Sequence, residues 1–386
     1  GETFEAPACA VGAVRGGFAE AVEALVRYKR VALKPSLPAW RGLSGAAAGA
    51  AGGKIAGAAV DAAVDAAVDA EDLPVIFNDY MDCLWGQPTE ERLLPLIDAA
   101  ARVGCEYFVI DAGWFGDREP PFAYATRFGD WEPSRDRFGE AGLQGILDRI
   151  RDRGMIPGLW LEMEACGQDA AFARMPDECF LRRSGVRIGG GLRYFPDFRH
   201  PAVRAHLHGV IDRLAAMGVG YIKNDYNDDF GSGCQEHPGD NPADGLLSAV
   251  RAFLSFVDEV RARHPSLILE NCGSGAMRAD PGILAHFHLQ SASDQVQFER
   301  FPSIACGSLA HVLPEQLGVW SYPWPIEIDR YDDRNRFDDP AYQARMADGE
   351  ETVFNLVTGF AGTLYLSGRI DAAPPDEQAR IDRRLE

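Results

Sequence analysis

The chain of 386 residues is 46% hydrophobic and 25% charged, with a formal net charge of −20 at pH 7. Such a length holds one barrel of usual size with a short appendage, or several smaller domains, and the composition is that of a globular protein with a buried core. The negative charge argues against nucleic acid or an anionic membrane surface as partner.

Residues 1–42 are moderately apolar, with a helical pattern from Phe18 to Arg30. The opening GETFEAPACAVG has no basic segment followed by an apolar one, so no secretory leader is read in it. Residues 43–72 are of low complexity, and their DAAV repeat brings Asp61, Asp65 and Asp69 near one another on a helical projection. That composition is read as a linker or surface insertion. From Pro74 short β-branched or aromatic runs alternate with longer amphipathic ones, as in βα units on a parallel sheet. Strands are predicted at 74–78, 107–111, 156–162, 220–225, 267–271, 287–293, 317–322 and 363–369. Helical patterns lie between them, at 89–104, 143–154 and 201–218, the last with Pro201 at its start and Gly218 at its end. No GxGxxG follows the first strand, which weakens an open dinucleotide-binding sheet. The fold class is therefore α/β, a (β/α)8 TIM barrel over 74–386. Residues 1–73 form an N-terminal extension, the remnant of a missing β-domain or the connection to one.

The eight cysteines are scattered singly, with no CxxC pair and no Cys/His cluster at zinc spacing. Reduced thiols in a cytoplasmic protein are the expectation, with no metal and no cofactor. No apolar run reaches the ~20 residues of a membrane-spanning helix.

Function in a barrel sits where strands end on their C-terminal side. The second strand ends at Asp111, ahead of Ala112, Gly113 and Trp114. The third offers Trp160, Glu162 and Glu164. The fourth delivers Lys223 and Asp225, whose spacing of two points both the same way from an extended chain. The fifth runs into the small-residue turn from Cys272 to Gly275, and the sixth ends at Asp294. Carboxylates supply acid, base and nucleophile for glycoside cleavage, while indole faces stack on sugar C–H surfaces. Trp131 and Trp320 are equally readable as core. Asp228 and Asp229 are read as turn-capping or solvated.

These segments resemble glycoside hydrolase family 36, the microbial α-galactosidase family, over residues 74–325. YFVIDAGWFGDR, GDWEPSRDRFGEAGL, MIPGLWLEMEACG, YIKNDYN, ENCGSGAMRAD and QSASDQ are similar to its motifs, in order and spacing. The resemblance implies Asp225 as nucleophile and Asp294 as acid/base. It also implies Asp111, Trp160, Arg193, Lys223, Cys272 and Gly275 as sugar-contact positions. Three departures mark the sequence. The family's better-known members pair two aspartates on the second strand, whereas here the second is Ala112. The first strand reads Asn78-Asp79-Tyr80 in place of a Trp-containing motif, and Asn224 replaces the usual Trp or Met beside the nucleophile. Asp79 is the neighbouring carboxylate expected to take over part of the contact to the C4/C6 side of the sugar. The family's β-domains before and after the barrel are not expected in this chain.

The implied activity is retaining, exo-acting α-galactoside hydrolysis of a glycoside or oligosaccharide. Oligomeric state is left open. The alternatives weighed are α-N-acetylgalactosaminidase or β-L-arabinopyranosidase specificity, a transglycosylase of the raffinose-synthase type, and an inactive sugar-binding barrel.

Overall fold

The structure is a computed structural model that describes residues 9–32, 73–118, 122–190, 192–235, 241–324, 340–341, 344 and 348–385. The stretch 43–72, read as a linker, lies outside the described residues. Eight parallel strands close a barrel in which each pairs with its neighbours in chain order and the last returns to the first. They are β1 Ile76–Asn78, β2 Tyr107–Ile110, β3 Ile156–Leu161, β4 Tyr221–Asn224, β5 Ile268–Asn271, β6 Leu289–Ser291, β7 Leu317–Ser321 and β8 Thr363–Leu366. Each falls inside a predicted strand, and all of these strand residues but Ile156 are buried, as in a parallel sheet covered on both faces.

The helices pack outside. Three follow α1 Phe18–Ala32: α2 Glu90–Arg102, α3 Gly142–Asp152 and α4 Pro201–Ala216. Next come α5 Pro242–Arg263, α6 Phe301–Ser308, α7 Glu350–Gly359 and α8 Pro375–Leu385. In α4 the buried residues Val203, Leu207, Val210, Ile211 and Leu214 recur at helical spacing and face the strands. Pro201 and Pro242 open α4 and α5, where a missing N–H costs nothing, and the Asn241 side chain accepts from the Ala243 N–H at 3.0 Å. The α1 helix is tied to the barrel by Lys29, which donates to the His311 carbonyl, and by Arg30, paired with Glu315 at 2.8 Å. Those partners lie just before β7, at the rim opposite the strand ends.

Register sets the interior. Trp160, Lys223 and Glu270 are Cα partners across β3, β4 and β5. Below them Tyr221 donates to Glu270 Oε2 at 2.6 Å and meets the Tyr365 hydroxyl at 2.5 Å. The barrel interior is thus aromatic and polar at this level, while Phe198, Phe253, Phe256 and Phe287 pack together on and beside α5. All eight cysteines are free.

Candidate active site

Asp225 continues the ladder one residue past β4, its N–H donating to the Leu161 carbonyl at 2.8 Å. Its side chain therefore enters the barrel mouth on the same face as Lys223. Four donors converge on it: Tyr226 N at 2.8 Å and Ser274 N at 2.7 Å on Oδ1, Trp160 Nε1 at 3.1 Å and Asn227 Nδ2 at 2.9 Å on Oδ2. Burial alone would raise its pKa, but the Lys223 charge and these hydrogen bonds outweigh it, and Asp225 is held below the ordinary aspartate value. A carboxylate with this environment stays ionised.

Lys223 donates to Asp111 Oδ2 at 2.8 Å and lies 5.0 Å from the centre of the Trp320 ring. Burial opposes its charge, yet Asp111, Cys272, Glu270 and Asp294 together hold its pKa well above the usual lysine value. Asp111 also accepts from Asn78 Nδ2 at 2.7 Å and from the Ala112 N–H at 2.8 Å. Asp79 stands behind it. Its Oδ1 accepts the Asp111 N–H at 2.7 Å, while Oδ2 is buried and unpaired among the described residues. Burial pushes the Asp79 carboxyl well above the ordinary range, which favours its protonated form.

The turn after β5 touches both expected catalytic carboxylates. Gly273, Ser274, Gly275 and Ala276 all have positive φ, between 51° and 77°. This winding brings the Ser274 N–H to Asp225 and packs Gly275 against Asp294. A Cβ on Gly275 would meet Asp294 N at 2.4 Å and its Cγ at 3.0 Å. Asp294 itself follows β6 by three residues and is half-buried. Its pKa is pushed up to about 6, first by burial, against the pull of Lys223 and with repulsion from Asp225 and Asp111. Cys272 is buried, and burial pushes its thiol well above the usual value, which leaves it unreactive.

Trp160 lines the third side, stacked 6.2 Å from Phe115 and edge-on to Trp131 at 6.0 Å. Arg193 comes from a small antiparallel sheet inserted between β3 and β4, formed by Cys166–Gly167, Gly189–Gly190 and Arg193–Tyr194. It pairs with Glu162 at 2.9 Å and lies 5.0 Å from the Phe128 ring centre. The positions named from the sequence are therefore gathered at one rim: Asp79, Asp111, Lys223, Trp160, Asp225, Cys272, Gly275 and Asp294 directly, Arg193 through Glu162. Trp131 and Trp320 are fully buried, as the core reading had it, with Trp320 directly beneath Lys223. Asp229 caps a turn by accepting from Gly231 N at 2.7 Å.

Sequence reasoning passed over Glu270, Asn227 and Arg278. Glu270 precedes Cys272 by two, so the alternation of a strand already turned it inward. It is fully buried, with its pKa pushed up to about 7 by burial against the pull of Lys223. Arg278 pairs with Glu164 at 2.6 Å and lies 3.6 Å from the Tyr226 ring centre, clamping the turn of β5 to the loop of β4. Among the described residues no group of three or more His, Cys, Asp or Glu is arranged to hold a metal ion, and no helix is long and apolar enough to cross a membrane.

Comparison with known proteins agrees with this fold. Residues 61–315 match the model of the family described as Melibiase. The probable α-galactosidase G of Emericella nidulans is 30% identical over 237 residues, covering 58% of this chain and 31% of that protein. α-Galactosidase AgaA of Geobacillus stearothermophilus is 26% identical over 224 residues, covering 57% and 30%. Each match thus spans about a third of the relative's length. Among solved structures, the galactosidase domain of the α-galactosidase–sucrose kinase AgaSK superposes with a TM-score of 0.69 at 19% identity, over 94% of this chain and 43% of that one. A variant of AgaA from Geobacillus stearothermophilus in complex with stachyose gives 0.66 at 20%, over 81% and 41%. With the family match extending over more than half of its length, and with these relatives, the chain belongs to the Melibiase family and is similar to the α-galactosidases of glycoside hydrolase family 36.

Proposed function

We propose that this chain is the catalytic barrel of a retaining, exo-acting α-galactosidase-type glycoside hydrolase, with Asp225 as nucleophile and Asp294 as acid/base. One observation carries the reading: two carboxylates served by the same turn have their proton affinities driven apart. Asp225, with four donors, is kept ionised. Asp294, for which no donor is found among the described residues, is raised to about 6. Such a separation supports Asp225 as the ionised group and Asp294 as the acid.

In the first step Asp225 Oδ attacks the anomeric carbon as the protonated Asp294 gives its proton to the leaving oxygen. In the second, Asp294 removes a proton from water, which displaces Asp225. Lys223 holds Asp111 in place and keeps Asp225 charged. Asp111, Lys223, Arg193, Trp160 and the turn from Cys272 to Gly275 form the sugar-binding wall. The division into an extension over 1–73 and a barrel over 74–386 belongs to this proposal. The galactoside relatives support galactose as the sugar. Ala112, buried and apolar where the familiar pattern has a second carboxylate, favours a related sugar, N-acetylgalactosamine or arabinopyranose, as the second reading.

Two variants test the division of roles. Asp225→Gly is expected to abolish turnover of a dinitrophenyl α-galactoside and to regain it in part with azide, giving a glycosyl azide of inverted configuration. Asp294→Ala is expected to retain turnover of that substrate, which needs little protonation, while losing it on alkyl glycosides. Because Asp294 must be protonated in the first step, kcat/KM should fall as pH rises through about 6, and Asp294→Ala should lose this limb. Equal sensitivity of the two variants to leaving-group pKa would contradict the assignment.

A further inference from the structure

Glu162 directly follows β3 and is sealed from solvent. Its Oε1 accepts from Arg193 Nη1 at 2.9 Å and from Asn227 N at 2.8 Å, and its Oε2 accepts from Asn227 Nδ2 at 3.0 Å. The same Asn227 Nδ2 donates to Asp225 Oδ2 at 2.9 Å. A side-chain amide nitrogen carries two hydrogens, so Asn227 can serve both carboxylates at once. Glu162 then decides which way that amide faces. Asn227 is itself exposed at the mouth, where solvent alone would not order it.

The charges facing this group come from several elements. Arg193 reaches it from the inserted sheet, and Asp228, 3.5 Å from Arg193 Nε, from the segment after β4. Lys223 on β4 and Asp294 after β6 face Asp225 rather than Glu162. Burial pushes the Glu162 carboxyl up to about 7, with Arg193 pulling it down and Asp225 pushing it up. Every hydrogen bond to it is donated by its neighbour, an arrangement that suits the ionised form.

We infer that Glu162 is a positioning residue: through Asn227 it orients the attacking oxygen of Asp225, and through Arg193 it sets the guanidinium at the barrel mouth. One buried carboxylate thereby orders the nucleophile and a sugar-binding cation together. The inference rests on the reading of Asp225 as nucleophile.

Steady-state kinetics of the 386-residue protein on a dinitrophenyl α-galactoside test it. Asn227→Ala removes only the branch to Asp225, so kcat should fall about tenfold or more with KM within about twofold. Glu162→Gln keeps a single accepting atom, so it cannot hold Arg193 and the Asn227 side chain together, and it loses the charge opposite Arg193; kcat should fall similarly and KM rise several-fold. The double variant should lose no more kcat than Glu162→Gln alone, since both act along one path. Wild-type kcat and KM in Glu162→Gln, or kcat losses that multiply in the double variant, would overturn the inference. An unchanged kcat in Asn227→Ala would overturn it even where Glu162→Gln fails to fold. Asp225→Gly separates the two levels. If that variant is inactive, a negative result at Glu162 strikes the positioning role alone; if it is fully active, the nucleophile assignment falls and takes this inference with it.

Discussion

Asp225 and Asp79 are both buried carboxyls of one barrel mouth, yet their proton affinities differ because their donors differ. Desolvation disfavours the anion in each, and hydrogen bonds or cations must exceed it for the charge to survive. Asp225 collects two backbone and two side-chain donors beside Lys223. Asp79 has the Asp111 N–H, and burial raises its proton affinity. This bears on the expectation that Asp79 contacts the sugar. Because its Oδ1 is committed to the Asp111 backbone, we propose that it acts by holding Asp111 rather than by binding the sugar itself. Asp79→Ala is therefore expected to lower kcat/KM by about tenfold, about 1.4 kcal/mol, on a galactoside and an arabinopyranoside alike. A loss confined to the galactoside, whose C6 hydroxymethyl the arabinoside lacks, would restore the direct contact.

At the scale of elements, the turn from Gly273 to Ala276 is the piece whose geometry both carboxylates depend on. Left-handed backbone at four consecutive residues, Gly273 to Ala276, costs energy for every non-glycine member, of order 1 kcal/mol each, and persists because β5, Arg278 and Asp294 hold it. Gly275→Ala adds a methyl within 2.4 Å of Asp294 N at φ +72°. The substitution should displace Asp294 while leaving Asp225 in place. Activity on alkyl glycosides should drop far more than on a dinitrophenyl glycoside, with a stability loss of about 1–2 kcal/mol in urea unfolding. Equal losses on both substrates would show that the turn serves Asp225 as much as Asp294.

The strands and α2 to α4 were legible because each carries a local signal: a short β-branched or aromatic run, or an apolar face at helical spacing that stops before a glycine. The site was legible at strand ends for the same reason, since alternation fixes the direction of Lys223 and Asp225; the same alternation pointed to Glu270, which was passed over. The inserted sheet that carries Arg193 was not. Its strands are two residues long, too short for any period to register, and its position depends on pairings distant in sequence. The partnership of Glu162 with Asn227 was hidden likewise, because it exists only once β3 and β4 are neighbours.

For the molecule as a whole, the closed parallel barrel puts Asp111, Asp225 and Asp294 at one rim, and the proposed class of reaction is that of the relatives, of which the chain spans about a third. The formal charge of −20 lies over a surface that takes no part in this argument. What the account claims centrally is double displacement through Asp225, which leaves a stereochemical mark that no rearrangement of the rim alters. Proton NMR of an α-galactoside digest, followed from the first minutes, reads that mark before mutarotation erases it. The account predicts that the α-anomer of the released sugar appears first and then decays toward the equilibrium mixture. Initial release of the β-anomer would mean direct displacement by water, and would contradict it.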